Sequence, residues 1–344
     1  MIGARTVWFE RPGVASLRRE PLREPGPLEV RVRALCSGVS AGTERRVLLG
    51  RVPPAARALM ALPTMRGAFE LPVAYGYATV GVVEAEGPVT LGASPRPPGL
   101  PGERLGERVF VLHPHQDVFV VPASALRPLP PGPPAERLVL AANLETAVNV
   151  VWDAEIGLGD RVVVSGSGVV GLLIARLCRR AGAAAVLAIE RDPARAALAV
   201  ALGATASVPS AVAAGAEIAA ADVLIEASGA PEVLAALVAH AGPGARVVVA
   251  SWYGDEVVGL PLGGTFHPHR LTLRSSQVAN LDPRRQGRWT HERRWALAGE
   301  LLADEGLDAL IAPSTPLEEA PALYAELARG VAWYPPQRVL DARG

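Results

Sequence analysis

The pattern of apolar and polar positions changes its character about midway along the chain. In the first part, Gly and Pro separate short apolar runs of β-type composition, and these runs predict strands at 28–35, 78–84, 108–112 and 118–121. From Arg161 onward, strand-like and helix-like segments alternate. The predicted strands there are 161–165, 185–189, 222–227 and 246–251, and the predicted helices are 169–181, 193–202 and 231–240. Alternation of this kind is typical of a parallel, doubly wound sheet, so we predict an α/β fold with a second, β-rich domain.

The remaining segments indicate how the chain is divided. A proline-rich stretch at 128–134 leads into a helix-like segment that ends at Asp153. An apolar run at 271–276 precedes a polar stretch, which is followed by an amphipathic segment at 293–302 and a strand-like tail at 338–340. The predicted domains are therefore a β-rich one, 1–149 with 277–344, and an α/β one, 150–276.

A glycine-rich turn follows the first strand of the alternating region. There the chain has the pattern G-x-G-x-x-G, and the predicted helix begins within it. The first glycine permits the tight bend, the second lets a pyrophosphate approach the backbone, and the third lets helix and strand pack closely. The phosphates then lie at the helix N-terminus. The alternative is an ordinary glycine-rich turn. The predicted cofactor residues of this turn are Gly166, Ser167, Gly168, Val169, Val170 and Gly171.

An acidic residue follows at the distance that such a site requires. Glu190 ends the next apolar run, about 20 residues beyond the turn, where a carboxylate accepts from the ribose hydroxyls. It would repel a 2′-phosphate, which favours NAD over NADP. Arg191 next to it could serve a phosphate, so NADP is the weaker alternative.

Composition and charge exclude several classes of protein. Half of the residues are apolar, enough for a sizeable core. The formal net charge is zero and every basic residue is an arginine. These arginines are spread along the chain, so we predict no nucleic-acid partner. The lack of lysine also excludes Schiff-base catalysis.

The cysteines and the N-terminal segment bear on location. Cys36 and Cys178 are too few for a four-thiolate zinc site or a disulfide framework. The segment from Met1 to Gly13 has no apolar signal core, and no stretch approaches the roughly 18 apolar residues of a membrane span. We expect a cytoplasmic protein that has no membrane partner.

Four local patterns occur in an order that resembles one family. They are Ser37-Gly38-Val39-Ser40-Ala41-Gly42-Thr43-Glu44, Tyr75-Gly76-Tyr77-Ala78 with Gly81 and Gly87, Gly106-Glu107-Arg108-Val109, and Asn143-Leu144-Glu145-Thr146-Ala147. Together with the central glycine-rich turn, they resemble the medium-chain dehydrogenase/reductase superfamily. The resemblance implies a Rossmann NAD-binding domain, a β-rich GroES-like domain, a small-molecule substrate and a homodimer.

The resemblance also indicates where zinc-dependent members hold their catalytic metal. Ser40 stands in place of a cysteine ligand. Tyr77 and Ala78 replace the histidine and glutamate of a Gly-His-Glu segment, whereas Glu145 matches a ligand type. Catalytic zinc prefers three thiolate, imidazole or carboxylate ligands. The four-cysteine lobe of many relatives corresponds to the cysteine-free loop 95–104, so we expect a branch without zinc.

Without a metal, side chains must handle the hydroxyl proton. Tyr77 is the leading candidate, and a tyrosine packed beneath the sheet is the alternative. Thr43 matches a position that starts a proton relay in relatives, and Ser40 could hold a water molecule. Between the two carboxylates, Glu145 is preferred to Glu44 as a base, although either could anchor a loop. The run from Cys36 to Glu44 is similar to a signature of the bacteriochlorophyllide hydroxyethyl dehydrogenase group, which implies oxidation of a secondary alcohol.

Two His-Pro-His repeats hold four of the six histidines. Alternate residues of an extended segment point the same way, which is a workable metal spacing. Metal binding is left open for His113, His115, His267 and His269. The family layout favours instead a place for His113, His115 and Glu44 in the substrate pocket.

Several further residues are candidates because of where they lie. Serines that follow predicted strands are expected near the nicotinamide, because ligands bind at the carboxyl ends of parallel strands; simple turns are the alternative. These serines are Ser228, Ser251, Ser275 and Ser276. The polar stretch that follows could shape a pocket for an anionic or aromatic substrate, or coat a solvated helix. Its residues are Arg284, Arg285, Arg288, Trp289 and Trp295.

Three functions remain possible at this point. The first is an NAD-linked, zinc-free dehydrogenase that acts on a secondary alcohol of a sugar-like, cyclitol-like or tetrapyrrole-side-chain substrate. The second is a zinc-free enoyl or quinone reductase that uses NADPH. The third is a nucleotide-binding protein that has lost catalysis.

Overall fold

The computed structural model describes residues 2–88 and 104–343. Apart from Arg104, the loop 95–104, on which the expected lack of a structural zinc lobe depends, lies outside the described residues. Among the described residues, no helix is both long enough and apolar enough to cross a membrane.

The strands and helices are numbered along the chain. The strands are β1 (Ile2–Arg11), β2 (Val14–Leu22), β3 (Glu29–Val39), β4 (Arg66–Gly67), β5 (Val73–Ala74), β6 (Thr79–Glu86), β7 (Arg108–Val111), β8 (Val118–Pro122), β9 (Arg127–Pro128), β10 (Arg161–Ser165), β11 (Ala185–Ile189), β12 (Ala206–Val208), β13 (Val223–Glu226), β14 (Arg246–Val249), β15 (Thr272–Ser275), β16 (Thr315–Pro316) and β17 (Arg338–Asp341). The helices are α1 (Ala41–Leu48), α2 (Pro54–Met60), α3 (Ala135–Leu138), α4 (Ala141–Asp153), α5 (Val169–Arg180), α6 (Pro193–Ala201), α7 (Gly215–Ala219), α8 (Pro231–His240), α9 (His291–Leu301) and α10 (Ala320–Ala328).

The chain divides into two compact units. The first consists of residues 1–140 and 311–344, and the second of residues 141–310. The sequence pattern placed both junctions elsewhere, at 149/150 and 276/277. The difference arises because α4 packs on α5 and on α9, which keeps both α4 and α9 with the parallel sheet.

The first unit is β-rich, as predicted. One sheet has the order β16-β17-β3-β6-β7-β9, with β8 paired to β3, and a smaller sheet has the order β2-β1-β5-β4. Strand β3 alternates buried and less buried positions over its first half, which is typical of a strand with one face on a core. The β1–β2 hairpin turns at Gly13, whose φ of 79° suits glycine. Neither this hairpin nor α10 was predicted.

Residues of α1 and α10 close one core of this unit. Phe9 of β1 meets the ring of Tyr324 of α10 edge to face, with 4.8 Å between ring centroids. Val47 and Leu48 of α1 are fully buried in the same cluster. The core therefore brings α10 against α1, the helix that follows β3.

The second unit contains the predicted doubly wound sheet. Its six strands are parallel and have the order β12-β11-β10-β13-β14-β15. The predicted strands and helices between 161 and 251 are confirmed, and β12 and α7 are additions. The order reverses between β10 and β13, so the carboxyl ends of these two strands flank the switch point where nucleotides bind in such sheets.

Candidate functional site

The glycine-rich turn between β10 and α5 leaves space at one position and none at two others. Gly166 has a φ of 91°, and a Cβ there would lie 2.6 Å from the Cα of Ser228. A Cβ on Gly171 would lie 1.9 Å from the carbonyl oxygen of Gly166. A Cβ on Gly168 would meet no other atom of the described residues within 4 Å, its two neighbours in the chain left aside. The turn is therefore closely packed at Gly166 and Gly171, whereas the space beside Gly168 is open.

The open side of the turn lies at the start of α5. Gly168 is the N-cap residue and no side chain caps the helix, so its first N–H groups, which begin at Val169 and Val170, are available to an anion. These features fit the pyrophosphate of a dinucleotide. When bound, a nicotinamide dinucleotide supplies hydride-transfer chemistry.

Glu190 lies next to this turn and is held at both carboxylate oxygens. Its Oε2 accepts a hydrogen bond of 2.8 Å from the Ser167 amide, and its Oε1 accepts one of 2.9 Å from the Asp192 amide. Each oxygen retains a lone pair for a ribose hydroxyl. Arg191 beside it is exposed.

A buried carboxylate that the sequence analysis overlooked organises the turn after β13. Glu226 is fully buried and accepts hydrogen bonds from the Ser228 amide and hydroxyl, both at 2.6 Å, and from the Tyr253 hydroxyl at 2.6 Å. The Ser251 hydroxyl accepts from the Gly229 amide at 2.9 Å. Ser228 and Ser251 therefore shape one turn beside Gly166. An acid that ends an apolar strand before Ser-Gly is the signal that could have identified Glu226.

The other two serines have different surroundings. Ser275 ends β15 and is exposed. The Ser276 hydroxyl donates to the carboxylate of Asp153 at 2.6 Å and accepts from the side-chain amide of Asn149 at 3.3 Å. Burial raises the pKa of Asp153, and the Ser276 hydrogen bond opposes that rise. Ser276 thus connects β15 to α4.

The leading catalytic candidates come together in the first unit. The Tyr77 hydroxyl donates to the Ser40 hydroxyl at 2.5 Å. Tyr77 also hydrogen-bonds with Thr43 in the first turn of α1. Burial raises the pKa of Tyr77, the hydrogen bonds with Ser40 and Thr43 lower it, and the charge of Glu44 raises it. Tyr77 is partly exposed, so its ring is not sealed beneath the sheet.

Glu44 and His115 form a fully buried pair under these hydroxyls. The Nε2 atom of His115 lies 3.0 Å from Oε2 of Glu44, and its Nδ1 atom lies 2.7 Å from the Ser37 hydroxyl. The Tyr324 hydroxyl also donates to Oε2 of Glu44. Oε1 of Glu44 accepts from the Ser40 amide at 2.8 Å. His115 and Glu44, which we expected in a substrate pocket, have no exposed side-chain surface.

His113 is likewise buried. Its ring stacks on Phe119 with 3.7 Å between centroids, and its Nδ1 donates to the Pro114 carbonyl at 2.9 Å. Burial lowers the pKa of His113 to about 3. This ring packs in the core as a neutral group.

Glu145 belongs to the second unit and faces an arginine. Its Oε1 accepts from Nε and Nη2 of Arg294, both at 3.2 Å. Arg294 is also buried and donates to Asn149 Oδ1 at 2.6 Å. Glu145 therefore contributes to a buried ionic network.

Most arginines and tryptophans of 284–295 contact other residues of the second unit. The guanidinium of Arg285 lies 4.7 Å from the ring centroid of Trp152, and Trp152 packs on Trp289 at 4.6 Å. Arg284 pairs with Asp282 at 2.8 Å, Arg288 is exposed, and Trp295 is buried. These contacts hold the segment on the second unit and do not require a substrate to explain its arginines and tryptophans.

The positions at which the resemblance implies a catalytic zinc carry the hydroxyl groups of Ser40 and Tyr77. A serine and a tyrosine hydroxyl are poor ligands for this ion. No group of three His, Cys, Asp or Glu side chains that could hold a metal occurs within 2–88 and 104–343. The two His-Pro-His repeats lie in different units, and His269 Nδ1 donates to the Ala241 carbonyl at 2.8 Å.

A family model and two proteins of known activity that resemble this chain are all dehydrogenases. Residues 169–296 match the family model of zinc-binding dehydrogenases. The 2-desacetyl-2-hydroxyethyl bacteriochlorophyllide A dehydrogenase of Rhodobacter capsulatus is 31% identical over 274 residues, which cover 72% of this chain and 74% of that protein. The D-guloside 3-dehydrogenase of Escherichia coli is 27% identical over 234 residues, which cover 64% of this chain and 67% of that one.

A solved structure confirms the fold. A Sinorhizobium meliloti protein that is assigned to the zinc-binding dehydrogenases, and whose structure contains NADP, superposes with a TM-score of 0.75. The superposition covers 99% of this chain and 100% of that chain at 22% identity. The predicted fold class, a Rossmann sheet together with a GroES-like β-rich domain, is therefore confirmed.

Proposed function

Because the chain belongs to the medium-chain dehydrogenase/reductase superfamily, and is thus an oxidoreductase, we propose that it interconverts a secondary alcohol and a ketone with NAD(H) and without catalytic zinc. The observation that carries this proposal is the hydroxyl pair of Tyr77 and Ser40, next to Thr43, at the positions where zinc-dependent relatives hold their metal. A phenol there can replace the Lewis acid as a partner for the substrate oxygen.

The proposed chemistry divides the reaction between cofactor and protein. Tyr77 donates a hydrogen bond, and in the reductive direction a proton, to the substrate oxygen. In the oxidative direction its phenolate accepts the hydroxyl proton, and Ser40 and Thr43 stabilise that phenolate by hydrogen bonds. Glu145 remains a second candidate base.

NAD is the proposed cofactor. The Glu190 carboxylate is already fixed beside the Gly166–Gly171 turn by two backbone amides. A 2′-phosphate would meet this charge, whereas ribose hydroxyls would donate to it. The S. meliloti protein has NADP in its structure, so the fold also accommodates NADP and the proposal of NAD rests on this side chain.

The proposed substrate is a secondary alcohol on a ring system or its side chain, of the sugar, cyclitol or tetrapyrrole kind. This class is supported by the names of the two relatives, which act on a hydroxyethyl bacteriochlorophyllide and on a guloside. Both names describe dehydrogenation of an alcohol carbon.

We also propose a homodimer. β15 is an edge strand of the parallel sheet, and Leu273 on it is 37% exposed. Within residues 2–88 and 104–343 no further strand pairs with this edge, and such an edge with an apolar side chain is a template for a second chain. Light scattering on the purified protein should give twice the chain mass; a monomer would contradict this part of the proposal.

One assay tests the proposed activity. Purified, chelator-treated protein is given NAD with glycosides, cyclitols and hydroxyethyl tetrapyrroles, then NADPH with enones and quinones, and the nicotinamide absorbance is followed. Alcohol-dependent NADH formation that added zinc does not increase is the expected result. NADPH oxidation by enones would favour the reductase alternative, and no turnover with any of them, together with NADH binding, would favour a silent nucleotide-binding protein.

A further inference from the structure

A buried carboxylate lies directly behind the proposed catalytic hydroxyls. Glu44 is fully buried and accepts hydrogen bonds on both oxygens. Its Oε1 holds the Ser40 amide, and the Ser40 hydroxyl accepts from Tyr77. A single residue therefore connects Glu44 to the phenol of Tyr77.

Other elements keep the Glu44 carboxylate in place. His115 contacts Oε2 from the segment after β7, and Tyr324 donates to the same oxygen from α10. His115 is itself fixed by Ser37 of β3. Gly76, which precedes Tyr77, lies so close to the imidazole that a Cβ would be 2.7 Å from Nε2. Four parts of the first unit thus determine where this charge lies.

We propose that Glu44 is a positioning residue: its carboxylate holds the Ser40 backbone and places a fixed negative charge beside the hydroxyl pair of Tyr77 and Ser40. The inference rests on the proposed function only for the use that catalysis makes of Tyr77. The positions of the Glu44 carboxylate and the Ser40 and Tyr77 hydroxyls follow directly from their hydrogen bonds.

The surroundings of Tyr77 support this role. The groups that face Tyr77 are Ser40 and Thr43, which favour the phenolate by hydrogen bonding, and Glu44 and Tyr75, whose negative forms oppose it. Burial raises the pKa of Tyr77 above the ordinary value of a tyrosine, and the Glu44 charge raises it further. Burial and Glu44 likewise raise the pKa of Tyr324, so that its hydroxyl remains a donor to the carboxylate.

A consequence for catalysis follows. At neutral pH, Tyr77 is set to donate to a carbonyl oxygen, and alcohol oxidation needs the phenol proton to leave first. We therefore expect oxidation to accelerate with rising pH, and carbonyl reduction to stay level until the phenol ionises.

The experiment compares two variants that disturb the same buried cluster. Glu44→Gln removes the charge and keeps the side-chain shape, whereas Tyr324→Phe removes a hydrogen bond to Glu44 and keeps the charge. Tyr77 ionisation is read from phenolate absorbance as a difference from the same protein carrying Tyr77→Phe, and thermal unfolding reports on stability. The pH profile of alcohol oxidation is measured in parallel.

Both variants should unfold at a lower temperature than the unmodified chain. In Glu44→Gln alone, the Tyr77 midpoint and the rise of the oxidation profile should move down by about 0.5–1 pH unit. The inference is overturned if Tyr77 ionises at the same pH in Glu44→Gln and the unmodified chain, if neither ionises before unfolding, or if Tyr324→Phe lowers the midpoint equally.

The readouts separate this inference from the proposed function. A shifted Tyr77 midpoint with full turnover in Tyr77→Phe would leave the inference standing and refute the catalytic use of Tyr77. Lost turnover in Tyr77→Phe with an unshifted Tyr77 midpoint in Glu44→Gln would support the catalytic use of Tyr77 and refute the inference about Glu44.

Discussion

The Nε2 atom of His115 lies 3.0 Å from Oε2 of Glu44, and neither side chain has any exposed surface. Burying such a pair is unfavourable unless other groups satisfy it. Here Ser37, the Ser40 amide and Tyr324 supply those hydrogen bonds. The pair therefore fixes the part of the fold that presents Tyr77.

Tyr77→Phe should reduce turnover by about 10²-fold or more, because the phenol handles the proton in the proposed reaction. NADH affinity, measured by fluorescence titration, should be unchanged. Tyr75→Phe is the matched control, since the Tyr75 hydroxyl donates to the Met60 carbonyl at 3.1 Å, and turnover should largely persist there. Full turnover in the Tyr77 variant would refute the assigned role.

Substitution of two glycines in the same turn should affect two different properties, cofactor binding and stability. Gly168→Ala should leave the melting temperature nearly unchanged, because its Cβ points into open space, and weaken NADH binding by about tenfold or more. Gly171→Ala should destabilise the fold, since its Cβ would collide with the Gly166 carbonyl oxygen. Calorimetry and NADH titration test both. Unchanged NADH affinity in Gly168→Ala would argue against pyrophosphate at this position.

Glu190→Gln should move the ratio of kcat/KM for NAD and NADP toward NADP by about tenfold, because the charge that opposes a 2′-phosphate is lost. The amide can still accept from the Ser167 backbone. The exposed Glu217 on α7 provides a control of equal charge change, Glu217→Gln. If neither substitution changes this ratio, residues other than Glu190 determine the choice between NAD and NADP.

Stability should fall with acidification through His113. Its pKa is about 3 in the folded chain, because burial disfavours the imidazolium, against an ordinary value of 6.5. Below pH 6.5 the unfolded chain therefore binds a proton that the folded chain does not, so stability is lost as pH decreases toward 3.

Between pH 6.5 and 5 this loss amounts to about 1.7 kcal/mol, measurable by urea unfolding. His113→Gln should flatten that part of the profile, whereas substitution of the exposed His240 should not. An unaltered slope in His113→Gln would show that the ring is protonated alike in both states.

Arg294→Met should destabilise the second unit by about 3–5 kcal/mol, because it removes the buried positive charge that faces Glu145. Arg293→Ala next to it should have a small effect, since this exposed guanidinium lies over the Trp289 ring and donates to the Arg288 carbonyl at 2.7 Å, without a buried charge to compensate. Equal unfolding free energies for the two variants would exclude a structural role for the Glu145 pair.

Local patterns predicted the second unit well and the buried contacts around Glu44 poorly. The G-x-G-x-x-G turn, Glu190 and the strands around them follow from spacing within a few dozen residues, and β10 and β11 have the predicted bounds. Tyr324 meets Glu44 across most of the chain length. Pairing at such a separation depends on packing of α10 against α1, about which a local pattern carries no information.

The same limit explains why His113 and His115 were read as pocket residues. Their alternation suggested one shared direction, yet one ring stacks on Phe119 and the other meets Glu44. Burial decides their chemistry, and burial depends on which strands cover the segment.

The close approach of Gly76 to the His115 ring also bears on how this fold diverges. Any side chain at position 76 would have to displace an imidazole that holds a buried carboxylate. A lineage can therefore gain a side chain at position 76 only if the residue at position 115 changes as well, so homologous chains without glycine at 76 should also lack histidine at 115.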